Sequence, residues 1–114
     1  MIQFEELIEK VRRNSPDANI ELLRRAYSFS ATEHEGQVRR SGEPYLGHPL
    51  EVADFLADMH LDSVAIAAAL LHDVVEDCGV STTELTTRFG SDVSKLVDGV
   101  TKLTRMEPSE QDNT

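Results

Sequence analysis

A single cysteine, Cys78, and no tryptophan occur among the 114 residues. An intramolecular disulfide is therefore impossible, which suits a reducing cytoplasm. Near a helix end, Cys78 reads as a packing residue. Aromatic residues make up only 5% of the chain, so the core must be built mainly from aliphatic side chains. Long hydrophobic runs are missing too. The longest, Val64 to Leu71, is about 8 residues, far short of the roughly 20 that cross a bilayer. The opening Met-Ile-Gln-Phe-Glu-Glu lacks the basic-then-apolar pattern of a secretory signal. Positive charge is also scarce: 11 Lys and Arg against 21 Asp and Glu leave a formal net charge of −10. Phosphate backbones are bound by net basic surfaces, so the charge argues against nucleic acid as the main partner. A polyphosphorylated small ligand would need a cation and a local basic cluster to reverse the field at its site.

What is present suits one small all-helical domain. Hydrophobic residues make up 39% and charged residues 28%, ordinary for a soluble globular chain with a single core. Phe4, Leu7, Ile8 and Val11 recur at helical spacing, with acids early and Lys10, Arg12 and Arg13 late, as the helix dipole favours. After the break at Asn14-Ser15-Pro16-Asp17, a second helix is predicted from about Asp17 to Glu35, with Leu22, Leu23, Ala26, Tyr27 and Phe29-Ser30 inward. Gly36 to Gly47 carries three glycines and Pro44 and reads as a loop. A third helix starts near His48-Pro49, since proline is tolerated in a first turn, and runs through Val52, Phe55, Leu56 and Met59.

Asp62 can cap a fourth helix over Ser63 to Asp77, apolar on nearly every side and therefore central, with Gly79 ending it. Ser81-Thr82-Thr83-Glu84 has the form of a capping box for a short fifth helix that ends at Phe89-Gly90. A sixth, from about Asp92 to Met106, should turn Val93, Leu96, Val97, Val100 and Leu103 inward. The expected architecture is a compact bundle of about six helices over 1–106, followed by a polar tail over 107–114.

One segment looks expensive to keep. The fourth helix ends in Leu70-Leu71-His72-Asp73-Val74-Val75-Glu76-Asp77. On a continuous helix, His72, Asp73, Glu76 and Asp77 share an arc of about 140°. Burying unpaired carboxylates costs several kcal/mol each, so such a face needs water, cations or a metal. The bland alternative is a solvated face on which His72 and Asp73 pair. A second histidine, in Gly47-His48-Pro49, opens the neighbouring helix and tilts the balance. Imidazole and carboxylate together suit a divalent transition metal. His48, His72 and Asp73 could supply three ligands if the third and fourth helices pack antiparallel.

His48 followed by the His72-Asp73 doublet resembles the HD superfamily of metal-dependent phosphohydrolases. The flanking segments narrow the resemblance to the RelA/SpoT family. Gly36 through Pro49 (GQVRRSGEPYLGHP) is similar to the loop before that family's first ligand. Ala68 through Asp77 (AALLHDVVED) is similar to its core motif, and Phe89-Gly90 with Val97 through Leu103 (VDGVTKL) to its next stretch.

The resemblance implies removal of the 3′-pyrophosphate from the guanine nucleotide alarmone (p)ppGpp in the stringent response, with Mn2+ as the metal. His48, His72 and Asp73 would be metal ligands, and Glu76 and Asp77 would handle the attacking water and its proton. Arg39 would lie against the guanine ring, with Arg40 and Ser41 near the nucleotide; a guanidinium can stack flat on a purine. The metal and the arginines would make the pocket basic although the chain is acidic.

Two departures are mild: Arg40 stands where the family commonly has lysine, and Cys78 where it commonly has threonine. A third is larger. The family's fourth ligand, an aspartate, belongs to a later helix, so the chain is expected to stop short of it, as part of a bifunctional synthetase/hydrolase or as a natural short form. A nucleotide-binding remnant with little activity, or an HD phosphohydrolase for another nucleotide, are the alternative readings. His34 reads as a surface histidine at a helix end, and Asp98 with Lys102 as an i,i+4 pair. Oligomeric state leaves no mark in the sequence.

Overall fold

The computed structural model describes the backbone of residues 3–35 and 47–105 and, within these, all side chains but those of Glu76 and 101–105. Among the described residues there are seven helices and no strand: α1 (Phe4–Asn14), α2 (Ile20–Glu33), α3 (Gly47–Asp58), α4 (Ser63–Leu71), α5 (Val74–Cys78), α6 (Thr82–Phe89) and α7 (Ser91–Arg105). The all-α expectation holds. The predicted loop over 36–46 and the tail over 107–114 lie outside the described residues.

α4 is the axle. It is apolar all round, so every side needs a partner, and it packs against α2, α3 and α7. Ile66 to Leu71 are all buried, with Leu70 and Leu71 at 0% exposure. Each large aliphatic side chain removed from water in this way contributes roughly 1.5–3 kcal/mol. Asp62 caps the start of α4 as its sequence position implies, its carboxylate accepting from Ala65 N at 2.9 Å. Ser81 caps α6 through Glu84 N at 3.0 Å. The Glu84 side chain accepts instead from Arg88 Nε at 2.9 Å.

Lys10 fastens α1 to α3 by reaching both Asp54 and Asp58, at 2.6 and 2.7 Å. Phe4 stacks on Tyr27, ring centroids 4.2 Å apart, and joins α1 to α2. Three features depart from expectation. α2 begins at Ile20 rather than Asp17, because the Asn19 side chain accepts from Leu22 N at 3.1 Å and caps the helix there. On α7, Val93 and Val97 are buried, whereas Leu96 and Val100 are 44% and 38% exposed. The apolar stripe of α7 is wider than the strip of α4 available to cover it.

The helix predicted over 63–77 is two helices, α4 and α5, broken at His72-Asp73. The Ala69 carbonyl accepts from the His72 ring Nδ1 at 2.6 Å and from the His72 backbone N at 3.4 Å. In an unbroken helix that carbonyl would serve Asp73 N–H. A side chain competing for the backbone in this way ends the regular ladder. The chain resumes as α5, whose first turn has Asp77 N donating to Asp73 O at 2.8 Å. Gly79 closes α5 at φ +73°, a left-handed conformation that favours glycine.

Candidate metal centre

The break in the central rod is where the chemistry collects. The α3–α4 turn folds α3 back antiparallel on α4, so His48, in the first turn of α3, comes beside the far end of α4. The His48 and His72 ring centroids are 5.3 Å apart, with planes at 65°. One ligand atom each from His48, His72 and Asp73 can be chosen so that all lie within 4.8 Å of one another. Each of the three residues is half-buried. The antiparallel geometry required for convergence is therefore present.

The local bonds decide which atom each residue offers. A carbonyl only accepts, so the 2.6 Å contact with Ala69 O puts a proton on His72 Nδ1. Nε2 is left to face the site, and it lies 3.1 Å from Asp73 Oδ1. Tying one ring nitrogen to a backbone acceptor is how metal-ligating histidines are oriented and made more basic. Ligand bonds of about 2.1 Å at right angles would separate two ligand atoms by roughly 3.0 Å, so the Nε2–Oδ1 pair has the spacing of two neighbouring ligands. Two imidazoles and a carboxylate suit zinc, manganese or iron more than magnesium or calcium, which prefer all-oxygen sets.

Electrostatics agree with that pairing. Burial works to lower the His72 pKa, but the hydrogen bonds to Asp73 and Ala69 and the charges of Asp73 and Asp77 outweigh it, and the pKa is raised. Burial works to raise Asp73, yet the hydrogen bond and charge of His72, with the charges of His48 and His34, hold it below its ordinary value. The Nε2–Oδ1 contact thus lies where a cation would sit between the two groups.

Of the remaining expected site residues, Asp77 is exposed on α5, close enough for its charge to act on His72. Glu76 lies in α5, and its side chain is outside the described residues. Arg39, Arg40 and Ser41 are outside them as well.

One residue near the site was misread from sequence. His34, expected at the surface, is 3% exposed. Leu23, Ala26, Ser30 and His34 follow one another at i+3 and i+4 spacing, and the first three are buried. The stripe that buries α2 therefore carries His34 inward at its end. That spacing was the available signal.

Comparison with known proteins settles the family. The HD domain family matches residues 26–114, most of the chain. The chain belongs to the HD domain family. Among the relatives of this HD domain, the GTP pyrophosphokinase rsh of Brucella melitensis is 48% identical over 107 residues, which are 94% of this chain and 14% of the relative. A GTP pyrophosphokinase of Myxococcus xanthus is 50% identical over 99 residues, 87% of this chain and 13% of the relative. The guanosine-3′,5′-bis(diphosphate) 3′-pyrophosphohydrolase of Vibrio cholerae is 47% identical over 107 residues, 94% of this chain and 15% of the relative. The RelA/SpoT resemblance read from the motifs is borne out. The chain spans about one-seventh of the length of these relatives. HD-domain hydrolases are metal-dependent, and the His48–His72–Asp73 cluster is a fitting place for the ion. No described helix is long and apolar enough to cross a membrane.

Proposed function

We propose that this HD domain, over about residues 1–106, removes the 3′-pyrophosphate of (p)ppGpp as the hydrolase portion of a RelA/SpoT-like synthetase/hydrolase of the cytoplasm. The observation that carries the reading is that His48, on a different helix, comes together with the His72-Asp73 doublet so that one ligand atom from each lies within 4.8 Å of the others. The names of the relatives supply the substrate: they pair a GTP pyrophosphokinase with a 3′-pyrophosphohydrolase of guanosine bis(diphosphate).

His48, His72 and Asp73 would hold one divalent cation, Mn2+ in this reading. When bound, such an ion acidifies water and offsets phosphate charge. The protein's own groups do the rest. Glu76 and Asp77 stand one turn beyond the ligands, where a carboxylate can orient the attacking water and accept its proton. Arg39 stacks on the guanine, and Arg40 and Ser41 hold the nucleotide beside it. Water adds to the phosphorus on the ribose 3′-oxygen and the phosphorus–oxygen bond to the ribose breaks. A proton ends on that oxygen, releasing pyrophosphate and GDP or GTP.

Incubating the chain with ppGpp and Mn2+ tests the proposal. Release of pyrophosphate and GDP in equal amounts is expected, together with its loss in the Asp73→Ala variant. Binding of ppGpp without any release would instead assign the domain a nucleotide-binding role, and faster turnover of a nucleotide lacking the 3′-diphosphate would overturn the substrate.

A further inference from the structure

The turn between α3 and α4 carries apolar surface that the fold does not use. Phe55 and Met59, one turn apart at the end of α3, are 63% and 56% exposed, and Leu61 is 42% exposed. Phe55 is one of four phenylalanines in a chain that is only 5% aromatic. A single exposed leucine is ordinary, whereas large apolar residues exposed together mark a place where another surface settles. Phenylalanine and methionine are enriched at such contacts.

A cavity of about 270 Å³ opens beside Leu61, where the ends of α1 and α3 meet the approach to α2 and the start of α4. That is below the roughly 300–1,000 Å³ in which small ligands are held, and it suits one side chain. Buried Val11, Ala57 and Ile66 line its apolar part, and the exposed residues Asp17 and Asp62 bring carboxylates to it. Asp62 spends Oδ1 on Ala65 N–H, which leaves Oδ2. Among the described residues, no lysine or arginine stands in the wall. Along α3, Lys10 is held by Asp54 and Asp58, and Glu51 is exposed one turn before Phe55. Apolar wall beside carboxylate is what a long cationic side chain needs, since its stem is oily and its head is charged.

We propose that this face docks a basic amphipathic helix of a partner protein. The apolar side of that helix lies on Phe55, Met59 and Leu61, and one of its lysines or arginines enters the cavity, with the head at Asp17 and Asp62. Charge selects this occupant. A second copy would bring the same acids against one another across a two-fold interface, and the anionic headgroups of a membrane would meet the same repulsion. The formal net charge of −10 draws cations toward the chain, and the apolar patch fixes where they settle. The face lies at the end of α4 opposite the metal centre, so the proposal stands whether or not an ion binds there.

The test is calorimetric titration of the whole chain with a synthetic amphipathic helix of leucine and lysine. Two control peptides carry the same residues scrambled, or glutamate in place of lysine. The first peptide should bind and the controls should not. Phe55→Ala and Asp17→Lys, both at exposed positions, should each weaken binding by about tenfold. Leu96→Ala and Asp92→Lys make matching changes at exposed positions of α7 and should stay within about twofold, since charges more than about 8 Å away are screened. Equal weakening by the two charge reversals, with Phe55→Ala unaffected, would reduce the binding to general attraction and overturn the proposal. Equal affinity for a control peptide, or no binding at all, would overturn it too. Sedimentation of the chain alone covers the remaining occupant: a dimer that Phe55→Ala dissociates would assign the face to a second copy instead.

Discussion

The two ends of α4 each meet a histidine, and the two are used in opposite ways. Before its start, His60 occupies the turn from α3 at φ +60°, with Leu61 N bonded to Leu56 O and His60 N to Ala57 O. That is the hydrogen-bond pattern of a helix closed by a left-handed residue, where glycine is the usual choice. His60 is exposed, and its side chain has no part in that pattern. After the end of α4, His72 has an ordinary right-handed backbone, and it is the ring that binds the chain, through Ala69 O. One nitrogen is spent on structure and the other is left for chemistry. A histidine at a helix end is thus read by what its ring nitrogens face, not by its position.

Leu70, wholly buried in the rod between the two ends, should have the largest effect: Leu70→Ala is expected to cost about 2–5 kcal/mol, seen as an earlier denaturant midpoint. Loss of Mn2+ binding without such a loss of stability would mean that the centre is more fragile than the rod. His72→Ala should weaken Mn2+ by at least about 100-fold, or about 2.7 kcal/mol, while His60→Ala leaves it unchanged. Calorimetry on the two variants side by side separates the ends directly.

Acidity gives a smaller handle. The His72 pKa is raised, so the proton and the ion compete for Nε2. Affinity for Mn2+ should fall by about tenfold, or 1.4 kcal/mol, per unit of pH once the pH is below the folded pKa, and level off above it. In the metal-free protein the sign for His72 reverses. Its raised pKa favours folding most fully below its unfolded value near 6.5 and ceases to do so as pH rises through the folded value. Asp73, whose pKa is lowered, favours folding above its unfolded value near 3.8 and loses that effect as pH falls through the folded one. Melting temperatures of the metal-free chain from pH 3 to 9 would trace both. At the other end, His60→Gly should stabilise slightly, by about 0.5–1 kcal/mol, because it relieves the left-handed backbone while loosening the unfolded chain; a lower melting temperature would show that the His60 ring matters after all.

Much of this was legible beforehand. Asp62 and Ser81 act as caps where their positions implied, because capping is a contact over three residues. The burial of Ile66 to Leu71 follows from the apolar circumference of that helix. The split at His72-Asp73 was not legible, since periodicity reports faces and is blind to a ring that competes for one carbonyl. The outward tilt of Leu96 and Val100 depends on how much of α7 its neighbours can cover. The inward turn of His34 lay in the spacing of the α2 stripe, but its value depends on what lies opposite.

By itself the order of residues determined the helices, most of their ends and the identity of the three candidate ligands, since each depends on neighbours within a turn or two. Packing between helices was needed to bring His48 to His72, to break the rod at the pair, and to bury His34. Those outcomes require α3 to fold back along α4 and α2 to pack across the break, and the energy that selects such an arrangement comes from apolar surface shared between helices, which no short stretch of sequence contains.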